Sequence, residues 1–387
     1  MQRKIRMGMV GGGPGAFIGA VHRRAALMDG LIELVCGAFS SDPQRSREAG
    51  RELFLPQDRC YGDYRQMMEA EAALPAGQRM DFVAVVTPNH LHFPVALAAL
   101  RAGFAVMCDK PLTSNIEDAR KLVEAVEESG LLFGLTHNYT GYPMVKEARR
   151  LLGEGRLGRI RKVVVEYPQG WLSEPIERQG QKQADWRTDP DKAGPSGCMG
   201  DIGTHAENLA EYVTGLKIEK LCADVSSIVQ GRALDDDGNV LLRLEGGVRG
   251  ILYASQISAG EENGLRIRVY AEKAGLDWIQ EDPNTLVVKW HGKPRQVLRA
   301  GADYEHLGRR TRFNCRLPSG HPEGFLEAFA NLYRCFALTL ACRLEGREPE
   351  ADYLDFPGVE DGLRGMRFIE AVLRSSRSTR KWTPLQD

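Results

Sequence analysis

Asp201 and His205 stand four residues apart in GCMGDIGTH, residues 197–205. At a helix start that spacing puts both side chains on one face. A carboxylate beside an imidazole orients the ring and raises its basicity, which suits a general base. Two plainer readings stand beside this one: an N-capping aspartate with an incidental histidine, or a pair of metal ligands. No further Cys, His or carboxylate spacing completes a zinc site, although Cys198 is close, so no metal is expected. Gly197, Gly200 and Gly203 leave room for a ligand or a second backbone. Lys110, in CDKP at residues 108–111, is the second candidate. A lysine in a turn is ordinarily a solvated surface group. Here an apolar strand delivers it, and Pro111 fixes the chain direction beyond it.

A third stretch binds rather than reacts. Residues 4–19 read KIRMGMVGGGPGAFIG. Ile5, Met7 and Met9 alternate, and Val10 runs into glycines, which predicts a buried strand ending in a tight turn. AFIGAVHRRAALM then predicts a helix opening out of that turn. Gly11, Gly13 and Ala16 satisfy the dinucleotide pattern in its G/A form, and a second alignment puts the third small residue at Gly19. The first helical residues, Phe17 and Ile18, would present main-chain N–H groups to a pyrophosphate. The plain alternative is a glycine turn between a strand and a helix.

These groups need a scaffold that brings strand ends together. Ile32 to Phe39 predicts a second strand, whose tip should meet an adenine ribose. The tip is Ser40-Ser41-Asp42, with Arg45 one turn on. Asp42 could reach a ribose hydroxyl, Ser40, Ser41 and Arg45 could hold a 2′-phosphate, or Asp42 could only cap the helix from Pro43 to Leu53. NAD is expected, with NADP possible. Asp81 to Thr87 predicts a strand buried on both faces, ending in TPNHLH. Thr87, Pro88, Asn89 and His92 therefore stand where open parallel sheets bind ligands, although a helix start would also account for His92. A helix from Phe93 to Ala102, a strand from Ala105 to Cys108, a helix from Asn115 to Ser129 and a strand from Leu131 to Thr136 complete a doubly wound parallel sheet. After His137-Asn138-Tyr139 the rhythm changes to longer alternating segments with hairpin spacing, from Ile160 to Trp290. This predicts an α/β chain of two domains: a Rossmann domain over 1–139, and an α+β domain over 140–387 with a large, open, mostly antiparallel sheet. The helix near 359–375 is expected to pack back on the first domain. A homodimer or homotetramer through the open sheet is the expected cover for its outer face.

Composition narrows the classes. The 387 residues are 43% hydrophobic and 27% charged, with net charge −1. No electrostatic footprint for nucleic acid or a membrane surface is visible. No apolar run reads as long enough to span a bilayer, and the N-terminus lacks a signal-peptide pattern. Eight cysteines are scattered without a CxxC pair, as expected of free thiols in a reducing cytoplasm.

Taken together, the glycine turn, TPNHLH, CDKP, Trp186-Arg187, GDIGTH and the late EDGLRGMRFIEAVLRSS resemble the glucose–fructose oxidoreductase / inositol dehydrogenase / rhizopine-catabolism (Gfo/Idh/MocA) family. The likeness runs over nearly the whole chain. It implies NAD(P) and oxidation of a sugar or cyclitol hydroxyl, as in the inositol- and sugar-dehydrogenase-like members. The family's motif lysine maps onto Lys110, and its aspartate and histidine onto Asp201 and His205. Asp109 stands where the family usually has glutamate, a shorter reach. Asp109, Lys110, Trp186 and Arg187 join the expected cofactor contacts. Lys110, Asn138, Tyr139, Trp171, Asp201 and His205 are the expected substrate contacts, with core packing the ordinary alternative for Trp171. Two other activities fit the same residues: a redox-assisted glycoside hydrolase or lyase with tightly bound NAD, and a non-catalytic dinucleotide sensor.

Overall fold

The computed structural model describes residues 3–385; the outermost residues of the two expected domains, 1–2 and 386–387, lie outside the described residues. Internal contacts group the chain into two compact units. One holds the described chain through Asn138 together with Phe325–Leu363, and the other holds Tyr139–Gly324 and the chain from Arg364 onward. The helix Val359–Ser376 is therefore divided between the units at Leu363.

The first unit carries a parallel sheet of five strands: β1 (Ile5–Gly11), β2 (Ile32–Ala38), β3 (Phe82–Val86), β4 (Ala105–Cys108) and β5 (Phe133–Leu135). Their order is β2-β1-β3-β4-β5, and every pairing is parallel. This is the doubly wound sheet that the strand–helix alternation predicts. Each residue of β3, FVAVV, is buried, because helices cover both faces of such a sheet. The order reverses between β1 and β3, so their C-terminal tips open a crevice. Helix starts follow the capping chemistry in the sequence. Asp42, Asp63 and Asn115 each accept main-chain N–H bonds from the first turn of the helix that follows.

Phe325–Leu344 is long and apolar enough, by length and composition, to cross a bilayer, which the sequence reading had not expected of any segment. Its apolar window is 72% buried within the protein. Phe329, Tyr333, Phe336 and Leu340, spaced three and four apart, share one core with Met7, Phe82 and Met107. It is a core helix.

The second unit carries a nine-stranded sheet. Its strands are β6 (Ile160–Pro168), β7 (Ile218–Ser226), β8 (Asp237–Leu244), β9 (Arg249–Ser255), β10 (Arg266–Ala271), β11 (Ala274–Ile279), β12 (Thr285–Trp290), β13 (Gln296–Arg299) and β14 (Thr383–Pro384). The order is β13-β12-β11-β10-β6-β9-β8-β7-β14. All pairs are antiparallel except β6 and β9, which run parallel from Lys162 opposite Arg249 to Pro168 opposite Ser255. Burial alternates along the strands. Val163, Val165, Tyr167, Leu242, Leu252 and Val269 face the helices Pro143–Gly153 and Thr204–Thr214 side of the core. The opposite face carries a register row of Leu241, Ile251 and Val164, continuing through Arg268 to Asp277.

Candidate active site

The crevice at the tip of β1 has the geometry of a dinucleotide site. Gly11 has φ +84°, and a Cβ there would lie 2.7 Å from the Val86 carbonyl oxygen. A Cβ on Gly13 would lie 2.5 Å from the Phe39 carbonyl oxygen, so only glycine fits where the turn meets the end of β2. A Cβ on Gly19 would lie 2.3 Å from the Gly12 Cα. Gly19, not Ala16, is therefore the small residue that lets the helix Phe17–Leu27 pack on the turn. Ala16 is instead the N-cap residue, and it supplies no side-chain cap to the first helical N–H groups. The Thr87 hydroxyl, at the tip of β3, is buried without a hydrogen-bond partner among the described residues. Glycines in the turn, an uncapped helix start and an unpaired hydroxyl fit a pyrophosphate-bearing cofactor.

At the tip of β2, Asp42 Oδ1 accepts from the Gln44 N–H at 2.9 Å and the Arg45 N–H at 3.2 Å. The Ser40 Oγ accepts from the Asp42 N–H at 3.1 Å. Of the three readings of this tip, the capping role of Asp42 is the one its geometry holds. Ser41 is exposed, as is the Arg45 side chain.

The ends of β3 and β4 are tied together by His92. Its Nδ1 lies 2.7 Å from the Pro111 carbonyl oxygen and its Nε2 lies 2.9 Å from that of Thr87. The ring's polar atoms thus face the main chain rather than a ligand. Burial pushes its pKa down, against the pull of Asp109 and the two carbonyls. The peptide between Lys110 and Pro111 is cis. Beside Lys110, Asp109 Oδ1 accepts from the Lys110 N–H at 2.9 Å and from the Thr136 hydroxyl at 2.8 Å. Its Oδ2 lies 3.9 Å from His22 Nε2. Burial would raise the Asp109 carboxyl, but His22, Lys110, His92 and the Thr136 hydroxyl together hold it below the ordinary carboxylate value. His22 is fully buried, with Nδ1 2.7 Å from the Tyr333 hydroxyl and Nε2 without a hydrogen bond. The adjacent His137 is pushed down to about 3, by burial first and then by Lys110. Lys110 is thereby set among one carboxylate and neutral imidazoles. Asn138, an expected substrate contact, is buried in the same unit with its Nδ2 unpartnered.

Asp201 and His205 lie in the second unit, on a π-helical turn, Met199–Gly203, that runs into the helix Thr204–Thr214. That start is anchored by Asp235. Its Oδ1 accepts from the Gly197 N–H at 2.9 Å and the Ser196 hydroxyl at 2.8 Å, and its Oδ2 from the Met199 N–H at 2.8 Å. Asp201 provides no cap; its Oδ2 accepts from Arg187 Nε at 3.0 Å and Gln256 Nε2 at 2.9 Å. The capping alternative for Asp201 is overturned because Asp235, 34 residues along the chain, already occupies that role.

His205 is buried against Tyr139, ring centroids 4.8 Å apart at 82°, and lies 6.4 Å from Tyr167. Behind it the two phenol oxygens hydrogen-bond one another. Tyr167 donates to Asn263 Oδ1 at 2.8 Å, and Asn263 Nδ2 donates to Tyr139 at 3.3 Å. Every donor in this ring of three is used, so Tyr139 donates to Tyr167. Burial pushes both phenols up, and both stay protonated at neutral pH. Tyr139 thus packs its ring near-perpendicular to that of His205 while its hydroxyl bonds Tyr167. Gln169 links Asn263, at 2.8 Å, to the indole N–H of Trp171, at 3.1 Å. Trp171 and Trp186 lie 5.7 Å and 4.2 Å from the Arg187 guanidinium carbon. Trp171 is part-buried.

Tyr167, Asp235, Gln256, Asn263, His22 and His137 escaped the sequence reading. Tyr167 and Asp235 sit in a strand pattern and an acidic run, where nothing local marks them. His137, directly before Asn138 at a strand end, was the one with a visible signal.

Comparison with known proteins agrees with this geometry. Residues 5–137 match the oxidoreductase family with an NAD-binding Rossmann fold, and residues 145–277 match the GFO/IDH/MocA C-terminal domain. An uncharacterized oxidoreductase of Bacillus subtilis strain 168, YfiI, is 33% identical over 385 residues, covering 99% of this chain and 97% of that one. An inositol dehydrogenase homolog from Azotobacter vinelandii, solved with NAD+, superposes with TM-score 0.93 at 38% identity, covering 99% and 98% of the two chains. The homolog from that organism solved with NADH and myo-inositol gives TM-score 0.91 at 37% identity over the same shares. The chain belongs to the Gfo/Idh/MocA oxidoreductase family. It is an NAD-binding oxidoreductase that acts on a small molecule.

Proposed function

We propose that this enzyme oxidises a secondary hydroxyl of a cyclitol or sugar and passes the hydride to NAD+. The observation that carries the reading is the full-length likeness to the inositol dehydrogenase homolog solved with NADH and myo-inositol. NAD+, when bound, supplies the hydride acceptor. The protein supplies position and charge. In this reading His205 accepts the hydroxyl proton, Asp201 orients the imidazole, and Lys110 holds the substrate oxygen and relays the proton. A base placed in this way is worth about a hundredfold to ten-thousandfold in rate. The part-buried faces of Trp171 and Trp186 suit the C–H face of a polyol ring, and Asn138 Nδ2 is a donor still to be used. The crevice residues Gly11, Gly13, Phe17, Ile18 and Thr87 hold the cofactor, and NAD is taken as that cofactor from the likeness to the homolog solved with NAD+, since Asp42 is spent on a helix cap and does not select it.

The same reading makes the enzyme a homodimer or homotetramer in the cytoplasm. The outer sheet row of Leu241, Ile251 and Val164 is the apolar surface that would pair, and Leu241 is 45% exposed. All eight cysteines are free thiols, as a reducing compartment allows.

The test is absorbance at the reduced-nicotinamide band with NAD+ and a panel of inositols, aldoses and anhydrosugars. A rise with at least one cyclitol or aldose is expected. No rise with any of them, in enzyme that still binds NADH, would defeat the reading.

A further inference from the structure

Asp201 takes two hydrogen bonds on one oxygen. Arg187 Nε reaches Oδ2 at 3.0 Å from the short helix Lys182–Arg187, and Gln256 Nε2 reaches it at 2.9 Å from just beyond β9. Neither donor is loosely held. The Arg187 Nη1 donates to Gln183 twice, to its carbonyl at 3.2 Å and to its Oε1 at 2.9 Å. Its guanidinium lies over Trp186 and beside Trp171. Gln256 is 2% exposed, and its main chain bonds Asp236 and Leu172. Two fixed donors on one carboxylate oxygen stop the group rotating, and one of them carries a charge that favours the ionised form.

We propose that Arg187, together with Gln256, is the positioning pair of the reaction, holding Asp201 ionised and fixed so that it can orient and charge-balance the imidazole of His205. The proposal rests on the reading of His205 as the base. It gives Arg187 a role beside its expected cofactor contact, with Nε on Asp201 and Nη1 on Gln183. Tyr139, Tyr167 and Cys198 are titratable groups that feel Asp201, and each is pushed up by burial first and so neutral at pH 7. Arg187 brings a positive charge to Asp201, Nε to Oδ2 at 3.0 Å.

The experiment compares wild type, Arg187→Gln, Arg187→Lys and Gln256→Leu as NAD-loaded enzymes. Three readouts are taken: NADH affinity by fluorescence, the titration of His205 by side-chain NMR with its signal assigned by loss in His205→Asn, and kcat against pH. Arg187→Gln should leave the NADH Kd within about threefold and lower kcat about a hundredfold. Loss of the cation should raise the pH at which His205 takes up its proton, moving the acid limb of kcat the same way. Arg187→Lys should recover part of both, and Gln256→Leu should lower kcat about tenfold and serves if Arg187→Gln does not fold. Unmoved His205 titration, or a tenfold loss of NADH affinity with kcat restored at saturating NAD+, would overturn the proposal. The NMR arm needs no turnover. It therefore judges the positioning pair even if every polyol in the panel is refused, a result that would count against the proposed reaction alone.

Discussion

The His205 imidazole packs near-perpendicular to the Tyr139 ring, 4.8 Å between centroids, and that ring is itself pinned by hydrogen bonds to Tyr167 and Asn263. Tyr139→Phe keeps the ring and strands two buried partners. A stability loss of about 1–3 kcal/mol is expected, with kcat falling less than about tenfold. Tyr139→Ala also removes the ring, and should cost about 3–5 kcal/mol and far more activity. Denaturant midpoints and kcat for the two variants check this; equal activities would contradict it.

Lys110 should matter to chemistry and little to cofactor affinity. Lys110→Met is expected to lower kcat about a hundredfold or more while NADH binding stays nearly unchanged. Turnover at the wild-type rate would remove Lys110 from the mechanism.

Acid should destabilise this fold earlier than carboxylates alone would. His22, His92 and His137 all have pKa values pushed down by burial, His137 to about 3, from an ordinary 6.5. Each binds its proton more readily when unfolded, so the stability it contributes is complete above pH 6.5. It is then lost as pH falls from 6.5 toward the folded value. Each such group tilts stability by about 1.4 kcal/mol per pH unit in that window. The depressed Asp109 carboxyl adds its own loss only below its ordinary value of 3.8. Thermal melts between pH 8 and 4 should be flat at first and then fall, and His137→Asn should flatten the fall by one proton.

Asp235 anchors the site helix without touching the proposed chemistry. Asp235→Ala leaves the Gly197 and Met199 N–H groups and the Ser196 hydroxyl without their acceptor, a loss of about 2–4 kcal/mol. Asp235→Asn keeps part of the cap and should cost less. Melting temperatures of both variants, read beside kcat, check this order.

The outer sheet row predicts a variant that assembles less. Leu241→Glu places a charge at the middle of the apolar row and should shift the solution mass toward monomer. An unchanged mass by light scattering would move the interface elsewhere.

Much of the first unit was legible because its signals are local. Period-two apolar strands, capping residues such as Asp63 and Asn115, and the glycine turn each lie within a few residues of what they determine. The choice between Ala16 and Gly19 was not, since it turns on a 2.3 Å approach to Gly12 across the turn. The parallel pairing of β6 with β9 is likewise absent from any local pattern. In the candidate site, the Asp201–His205 spacing could be read directly, but the partners of Asp201 stand 14 and 55 residues away. The π-helical turn beneath them has no period of its own. Asp235 carries no local signal either, because the three donors it accepts from lie 36 to 39 residues back in the chain.

The most direct test follows the hydrogen. Wild-type enzyme is given NAD+ and inositol deuterated at its ring carbons, and the reduced cofactor is weighed by mass spectrometry. One deuterium per reduced cofactor, matched by one ketone per polyol consumed, is the predicted result. Polyol consumed with no deuterium in the cofactor would contradict direct hydride transfer.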